Sequence, residues 1–119
     1  MERATECTGI DTTVAPSGPG CVECEQHRGW WFHLRRCAQC GHIGCCDQSP
    51  GQHGSAHAES TGHPWITSYE PEERWFYDYR DQQVYEYGPK LAPPEHHPID
   101  QPTPGPAWRV PVNWEELLR

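Results

Sequence analysis

Hydrophobic positions along the chain fall into short groups separated by polar residues. Aromatic and aliphatic side chains concentrate in four segments, at residues 30–36, 65–69, 74–79 and 83–87. Short groups rich in aromatic and β-branched residues are typical of strands. We therefore predict a strand in each segment and a shorter one at 42–46. Asp81 and Gln82 predict a turn between the last two strands.

One segment instead has the character of a helix. Residues 51–60 follow Ser49 and Pro50, which suit the N-cap and the first helical position, and Gly62 stands just past the end. A second, short helix is predicted within residues 112–119, capped by Asn113. The expected fold class is α+β: a small twisted antiparallel sheet with one main helix.

Composition divides the chain into three parts: an N-terminal segment at 1–20, a domain at 21–88 and a proline-rich tail at 89–119. Eight of the 23 residues at 89–111 are proline. Such a segment is extended and cannot form a central strand. The tail either folds back over the aromatic residues of its own domain, or presents Trp108 and Trp114 to a partner.

The chain has too few aliphatic side chains for an ordinary core. Leu, Ile, Val and Phe together number 15 of 119 residues, and the net charge is −8. This composition lies where disorder is the default. Six Trp and five Tyr add buried area, but a domain this small commonly needs metal ions or disulfides as well.

Cysteine usage favours metal over disulfides. The seven cysteines are an odd number, and the N-terminus lacks the apolar segment of a secretion signal. We therefore expect a reducing, cytoplasmic location, where disulfides rarely persist. The pairs Cys21/Cys24 and Cys37/Cys40 have the two-residue spacing that recurs in structural zinc sites.

Four further ligands complete the count. Consecutive strand residues point to opposite faces, so only one of Cys45 and Cys46 can easily bind. His53 and His57 share a helix face, and His63 follows. Eight ligands form two tetrahedral zinc sites. Spacing alone leaves open whether His53 and His57 bind the same ion.

The runs CVEC, LRRCAQCGHIGCC, HGSAH and TGHPWITSYEPEERWFY together resemble a UBP-type zinc finger, the ubiquitin-binding module of ubiquitin-specific proteases. The similarity is greatest to standalone prokaryotic members. The resemblance implies two cross-braced Zn²⁺ sites, one held by Cys21, Cys24, Cys45 and His53, the other by Cys37, Cys40, His57 and His63. Many members of the family hold a further zinc, but this chain lacks the His after Cys7 and a late CxxC pair, so we expect no third site and leave Cys7 and Cys46 as free thiols.

The resemblance also implies a protein-binding pocket. In the family, a pocket between the zinc-held loops and the sheet takes the C-terminal Gly-Gly of ubiquitin, and an arginine grips its carboxylate. Here Trp30 or Trp31 would supply a pocket ring, and Tyr77 matches a family tyrosine. Asp47 stands near the position of the family arginine. We therefore expect a protein partner or chain terminus other than ubiquitin.

Other function classes have less support. Nine scattered basic residues in an acidic chain argue against nucleic-acid binding, and no apolar run is long enough for a membrane helix. Closed zinc sites cannot activate water, and Glu70, Glu72 and Glu73 suggest an exposed loop, so we expect no enzyme. The alternatives are an adaptor acting through the tail and a redox or metal-responsive regulator acting through Cys46.

Overall fold

The computed structural model describes residues 9–119, so the predicted free thiol Cys7 lies outside the described residues. Two α-helices and five strands occur in this part of the chain. In chain order they are α1 (Val22–His27), β1 (Leu34–Cys37), β2 (Ile43–Cys45), α2 (His53–Thr61), β3 (Trp65–Ser68), β4 (Phe76–Asp78) and β5 (Gln83–Tyr85).

The strands form a single antiparallel sheet in the order β2-β1-β3-β4-β5. Leu34 lies opposite Cys45, and Cys37 lies opposite Ile66. This register places the last residue of β1 and the last residue of β2 at opposite ends of their shared ladder. The expected α+β class, with one main helix on a small antiparallel sheet, is confirmed.

The predicted strands are present but shorter than expected. The largest difference is at 30–36, where the strand begins only at Leu34. Trp31 instead pairs with Gly105 of the tail in an isolated bridge, with N–H to O distances of 2.9 and 3.0 Å. The aromatic residues before Leu34 therefore satisfy their backbone partly through the tail, which local strand propensity does not reveal.

The main helix begins later than predicted, and Ser49 is not its N-cap. Gln52 occupies the cap position with a left-handed φ of 51°, and its side chain makes no capping bond. The Ser49 hydroxyl instead accepts a hydrogen bond from the Phe32 N–H at 2.8 Å. Gly62 ends the helix as predicted, with φ 77° and its N–H bonded to the Ala58 carbonyl.

Helix α1 was not expected. The Cys21 sulfur accepts a hydrogen bond from the Cys24 N–H at 3.4 Å, so this cysteine acts as the N-cap. The helix ends at Arg28, whose φ of 56° is left-handed. With only six residues, α1 is too short to be stable alone, and it depends on what holds its two cysteines.

Two glycines allow α2 to approach the sheet closely. A Cβ atom on Gly44 would lie 2.7 Å from the Gly54 nitrogen, which is closer than such atoms ever come. Gly54 in turn lies against the Cys45 carbonyl. The start of α2 is therefore held directly over β2, and His53 reaches Cys45.

The core divides into two clusters of buried side chains. One combines Trp31, Leu34, Ile43 and Tyr69 with three cysteines. The other contains Ile10, Ala38, Trp65, Phe76 and Leu91, the last from the tail. Buried cysteines therefore provide part of the apolar core volume that aliphatic side chains provide in other domains.

The tail packs along the domain. The His97 N–H bonds to the Tyr69 carbonyl at 2.9 Å, the Arg36 guanidinium donates to the Pro94 carbonyl, and the Arg119 N–H donates to the Gln48 carbonyl. Short 3-10 helices occur at Ala107–Arg109 and Trp114–Leu117, the latter where a terminal helix was predicted. Within residues 9–119 no helix is long and apolar enough to cross a membrane.

The expectation that Glu70 lies in an exposed loop is wrong. Its side chain is buried, and its carboxylate accepts hydrogen bonds from the Leu34 N–H at 2.8 Å and from His97 at 3.1 Å. Glu72 and Glu73 are exposed as expected. Glu70 is buried because the tail brings His97 over it, 27 residues further along the chain.

Candidate metal centre

Four side chains from three elements meet in the first cluster. Cys21 and Cys24 come from the start of α1, Cys45 ends β2, and His53 begins α2. The Nδ1 atom of His53 lies 3.3, 3.4 and 3.4 Å from the three sulfurs, and the Cys24 and Cys45 sulfurs are 3.9 Å apart. The cysteines are buried, and the imidazole is half-buried.

The second cluster lies at the other end of β1. Cys37 ends that strand, Cys40 follows in the turn, His57 is one turn into α2, and His63 lies just after it. Nδ1 of His63 is 3.5 Å from the Cys37 sulfur, and Nε2 of His57 is 3.3 Å from the Cys40 sulfur. This cluster is more exposed than the first.

The dimensions of both clusters fit zinc. Zn–S bonds of about 2.3 Å and Zn–N bonds of about 2.0–2.1 Å in a tetrahedron separate two sulfurs by roughly 3.8 Å, and sulfur from nitrogen by roughly 3.5 Å. The distances above lie within a few tenths of an ångström of these edges, and all ligand atoms in each cluster lie within 4.8 Å of one another. Each cluster therefore fits one Zn²⁺.

The two clusters are interleaved along the chain. The first CxxC pair joins Cys45 and His53, and the second CxxC pair joins His57 and His63. His53 and His57 belong to different clusters, which the spacing in the sequence did not decide. One helix thereby contributes to both, and the segments between the ligands are braced from both ends.

In the first cluster, the three thiols affect one another's pKa because they lie in contact. Hydrogen bonds from Cys21 and Cys24 lower the pKa of the Cys45 thiol. The same contacts to Cys21 and Cys45 raise the pKa of Cys24 well above its usual range. Three buried thiols and one imidazole brought this close together are a donor set that suits a zinc ion.

The second cluster favours the metal-binding form of histidine. Burial, followed by His42 and His63, lowers the pKa of His57 to about 4. Its imidazole is therefore neutral at physiological pH, which is the form that donates a lone pair to a metal.

Cys46 points away from both clusters. Its sulfur is 3.5 Å from the Ser49 hydroxyl, and its N–H donates to the His33 carbonyl. Burial raises the pKa of this thiol, but hydrogen bonds from His33 and Ser49 outweigh burial and bring the pKa to about 7. The alternation of Cys45 and Cys46 across the strand end is the arrangement that the sequence predicted.

A cavity of about 430 Å³ opens on the face of the sheet beside α2. Its walls include Asp47, Ser55 and Ile66, and three rings from one face of the β4 region: Trp75, Tyr77 and Tyr79. These rings alternate along the chain, as side chains on one face of a strand do. Two of the residues expected at a partner pocket, Asp47 and Tyr77, thus lie in one cavity.

Trp30 and Trp31 do not line this cavity among the described residues, which corrects the expected source of the pocket ring. Trp31 is 3% exposed and packs in the core against Gly20, where any larger residue would clash with the indole. Trp30 is half-buried, and its carbonyl lies 3.5 Å from the Cys24 sulfur. The tryptophan that does line the cavity is Trp75, which the alternation with Tyr77 could have indicated from the sequence.

The cavity also contains a cation, Arg35. The Arg35 guanidinium lies over the Trp75 ring, 4.8 Å from its centroid, and donates to the Leu34 carbonyl. Asp47 accepts a hydrogen bond from the Ser55 hydroxyl at 2.6 Å. Within residues 9–119, Arg35 and Asp47 form no ion pair with each other, so both charges remain available to a ligand.

Comparison with known proteins identifies the family. The family model described as "Zn-finger in ubiquitin-hydrolases and other protein" matches residues 21–88, more than half of the chain. The protein belongs to this zinc-finger family. The predicted resemblance is thereby confirmed, and the two Cys/His clusters fit two zinc sites in a zinc-binding domain of this family.

The zinc finger is also similar to a solved structure. The solution NMR structure of protein RPA1320 from Rhodopseudomonas palustris superimposes with a TM-score of 0.63 at 42% sequence identity, covering 81% of this chain and 88% of that one. No curated protein matches the sequence. The similarity covers most of both chains, and it therefore extends beyond the residues that hold the two clusters.

Proposed function

We propose that the protein is a zinc-stabilised protein-interaction module, not an enzyme. In this proposal all eight clustered side chains are ligands, so both zinc ions are fully coordinated by protein. A zinc ion with four protein ligands has no open position for water or substrate and serves to hold the fold. The interleaved ligands then act as the framework that shapes the cavity.

The observation that carries the proposal is the cavity bounded by Arg35, Asp47 and three aromatic rings. It is concave and largely apolar, with a few polar groups at fixed positions, as binding pockets are. Tyrosine and tryptophan supply large contact areas at low entropic cost. Cys45 and Asp47 both line the cavity. Zinc binding at Cys45 therefore holds one wall of the cavity in place.

The charges favour a ligand other than the free tail of ubiquitin. Two like charges about 4 Å apart repel by about 1 kcal/mol in water and about 4 kcal/mol at an effective dielectric of about 20. Asp47 is exposed, so the lower figure is closer. A terminal carboxylate would meet this repulsion, which offsets its attraction to Arg35, whereas an extended internal segment offers N–H groups to Asp47 and carbonyls to Arg35.

Capture from a native lysate tests the proposal. The zinc-loaded chain should retain a protein that Tyr77→Ala and Trp75→Ala lose. Tyr87→Ala is the matched control, because Tyr87 is exposed and lies outside this cavity. Equal capture by all variants would place the binding surface elsewhere.

Ubiquitin itself requires a separate measurement. Calorimetry with intact ubiquitin and with ubiquitin lacking its Gly-Gly tail should show weak binding or none in both cases. Tail-dependent binding at low micromolar strength would make ubiquitin the ligand and would contradict the charge argument.

A second candidate is an adaptor that acts through the tail. Trp108 is 82% exposed and Val112 fully exposed, although the tail around them packs on the domain. Exposed tryptophans are common anchors at interfaces. Loss of the captured protein in Trp108→Ala, with retention in Tyr77→Ala, would favour the tail over the cavity.

A further inference from the structure

A hydrogen-bonded pair lies between the two Cys/His clusters and belongs to neither. The Nε2 atom of His42 donates to the carboxylate of Glu23, at 2.8 and 3.0 Å from its two oxygens. The side chains of His42 and Glu23 are 14% and 31% exposed, so the contact is largely shielded from solvent. Neither residue is among the eight clustered side chains.

One end of this pair is fixed to the first cluster. Glu23 lies in the first turn of α1, between Cys21 and Cys24. Its Oε1 atom is 3.9 Å from the Cys21 sulfur. Because α1 is only six residues long, its position follows from what Cys21 and Cys24 bind, and Glu23 moves with it.

The other end is fixed to the second cluster. The imidazole of His42 stacks on that of His57, with centroids 4.0 Å apart and planes 3° from parallel. Nε2 of His57 faces the Cys40 sulfur at 3.3 Å. The plane of the His57 ring, which decides where its lone pair points, is therefore set partly by His42.

We propose that Glu23 and His42 are positioning residues that couple the two zinc sites, so that filling either site raises the affinity of the other. The coupling rests on the ligand assignment proposed above. Metal at Cys21 and Cys24 holds α1, α1 places Glu23, Glu23 orients His42, and the stacked ring orients His57. Residues that orient ligands in this way commonly change metal affinity by about 10–100-fold, and coupling between two sites is reciprocal.

A double-mutant cycle on the full chain tests the proposal. Zinc affinity of the first site is measured by chelator competition in four proteins: wild type, Cys40→Ser, His42→Ala and the double variant. Cys40 is exposed, so its replacement empties the second site with little damage to the core. We expect Cys40→Ser to weaken the first site about tenfold in the wild-type background, and less than about twofold beside His42→Ala.

Equal weakening in both backgrounds would overturn the proposal, because the second site would then act through general stability. Glu23→Gln repeats the cycle without altering the stacked rings and serves if His42→Ala does not fold. Glu25→Gln removes the same charge from the exposed side of α1, where Glu25 pairs with Arg109 of the tail and not with His42, and His27→Ala removes an exposed histidine from the same helix. Both controls should leave the full tenfold effect.

The outcome also distinguishes this coupling from the ligand assignment beneath it. If Cys40→Ser still holds two zinc ions as tightly as the wild type, Cys40 is not a ligand, and the coupling falls with the assignment. If Cys40→Ser loses one ion but His42→Ala has no effect on the cycle, the assignment stands and only the coupling is wrong.

Discussion

The Nε2 atom of His97 lies 3.1 Å from a carboxylate oxygen of Glu70, where the proline-rich tail crosses the domain. The other ring nitrogen of His97 is 2.8 Å from the Pro98 carbonyl. The Glu70 carboxylate also accepts the Leu34 N–H, at the start of β1. One buried acid thus joins the tail to the sheet.

Replacing Glu70 should therefore loosen the tail and destabilise the whole protein. Glu70→Gln keeps only one acceptor oxygen, so the side chain can accept from the Leu34 N–H or from His97, and not from both as the carboxylate does. We expect a loss of about 2 kcal/mol in the free energy of unfolding, measured by chemical denaturation of the zinc-loaded chain. Glu72→Gln, an exposed neighbour, should change little, and equal effects in both variants would contradict the role of Glu70.

The side chains of the two clusters could be selected from the sequence because their spacing is local information, although spacing did not assign His53 and His57 to separate clusters. The pattern consists of the two CxxC pairs, the four-residue spacing of His53 and His57, and the strand alternation at Cys45. Each of these spans only a few residues. The burial of Glu70 depends on His97, and the position of Trp31 depends on Gly105. No local pattern contains these partners, so the sequence placed Glu70 in an exposed loop and Trp31 in a strand.

The cavity was partly predictable for the same reason. Strand alternation from Tyr77 leads directly to Trp75 and Tyr79, whereas Arg35 joins them only because β1 lies beside β3 and β4 follows it. Ser49 was predicted to cap α2, but its hydroxyl accepts from the Phe32 N–H, 17 residues earlier in the chain. The sequence near α2 does not contain this partner.

The fold should depend on its metal. Structural zinc supplies on the order of 10 kcal/mol of apparent folding free energy in small fingers, comparable to the net stability of a domain. We expect elemental analysis to find two zinc ions per chain, and chelation to abolish the native circular dichroism spectrum. Cys37→Ser should have nearly the same effect as chelation because it also places a hydroxyl at the buried end of β1, whereas the exposed Cys40→Ser should leave the chain folded around the first site. One or three ions per chain would contradict the count of eight ligands.

Cys45 and Cys46 should respond oppositely to substitution. Cys45 lies within 3.9 Å of the Cys24 sulfur, whereas Cys46 faces Ser49 and His33. Cys46→Ala should retain both zinc ions, and Cys45→Ala should lose one, as measured by elemental analysis of the purified variants. The reverse result would mean that Cys46 is the ligand and that the register of β2 given above is wrong by one residue.

The contact between β2 and α2 should not tolerate a side chain at Gly44. The added Cβ atom of Gly44→Ala would lie 2.7 Å from the Gly54 backbone nitrogen, so the helix must move and carry His53 with it. We expect a loss of about 1–3 kcal/mol in stability, as for other overpacked sites, together with weaker zinc retention. Gly18→Ala is the control, since nothing lies within 4 Å of its added atom. An unchanged melting temperature for Gly44→Ala would contradict the close approach.

The last prediction concerns the charge at Asp47. Asp47→Arg replaces repulsion of a terminal carboxylate by attraction, which is roughly a 2 kcal/mol change for exposed charges about 4 Å apart, or about 30-fold in affinity. Calorimetry should therefore detect tail-dependent ubiquitin binding in Asp47→Arg that is weaker or absent in the wild type. Glu59→Arg makes the same change of charge on the exposed side of α2, outside the cavity, and should gain little. If both variants gain equally, the effect is long-range attraction and not recognition in the cavity. If neither variant gains affinity for ubiquitin, the charge of Asp47 is not what weakens ubiquitin binding.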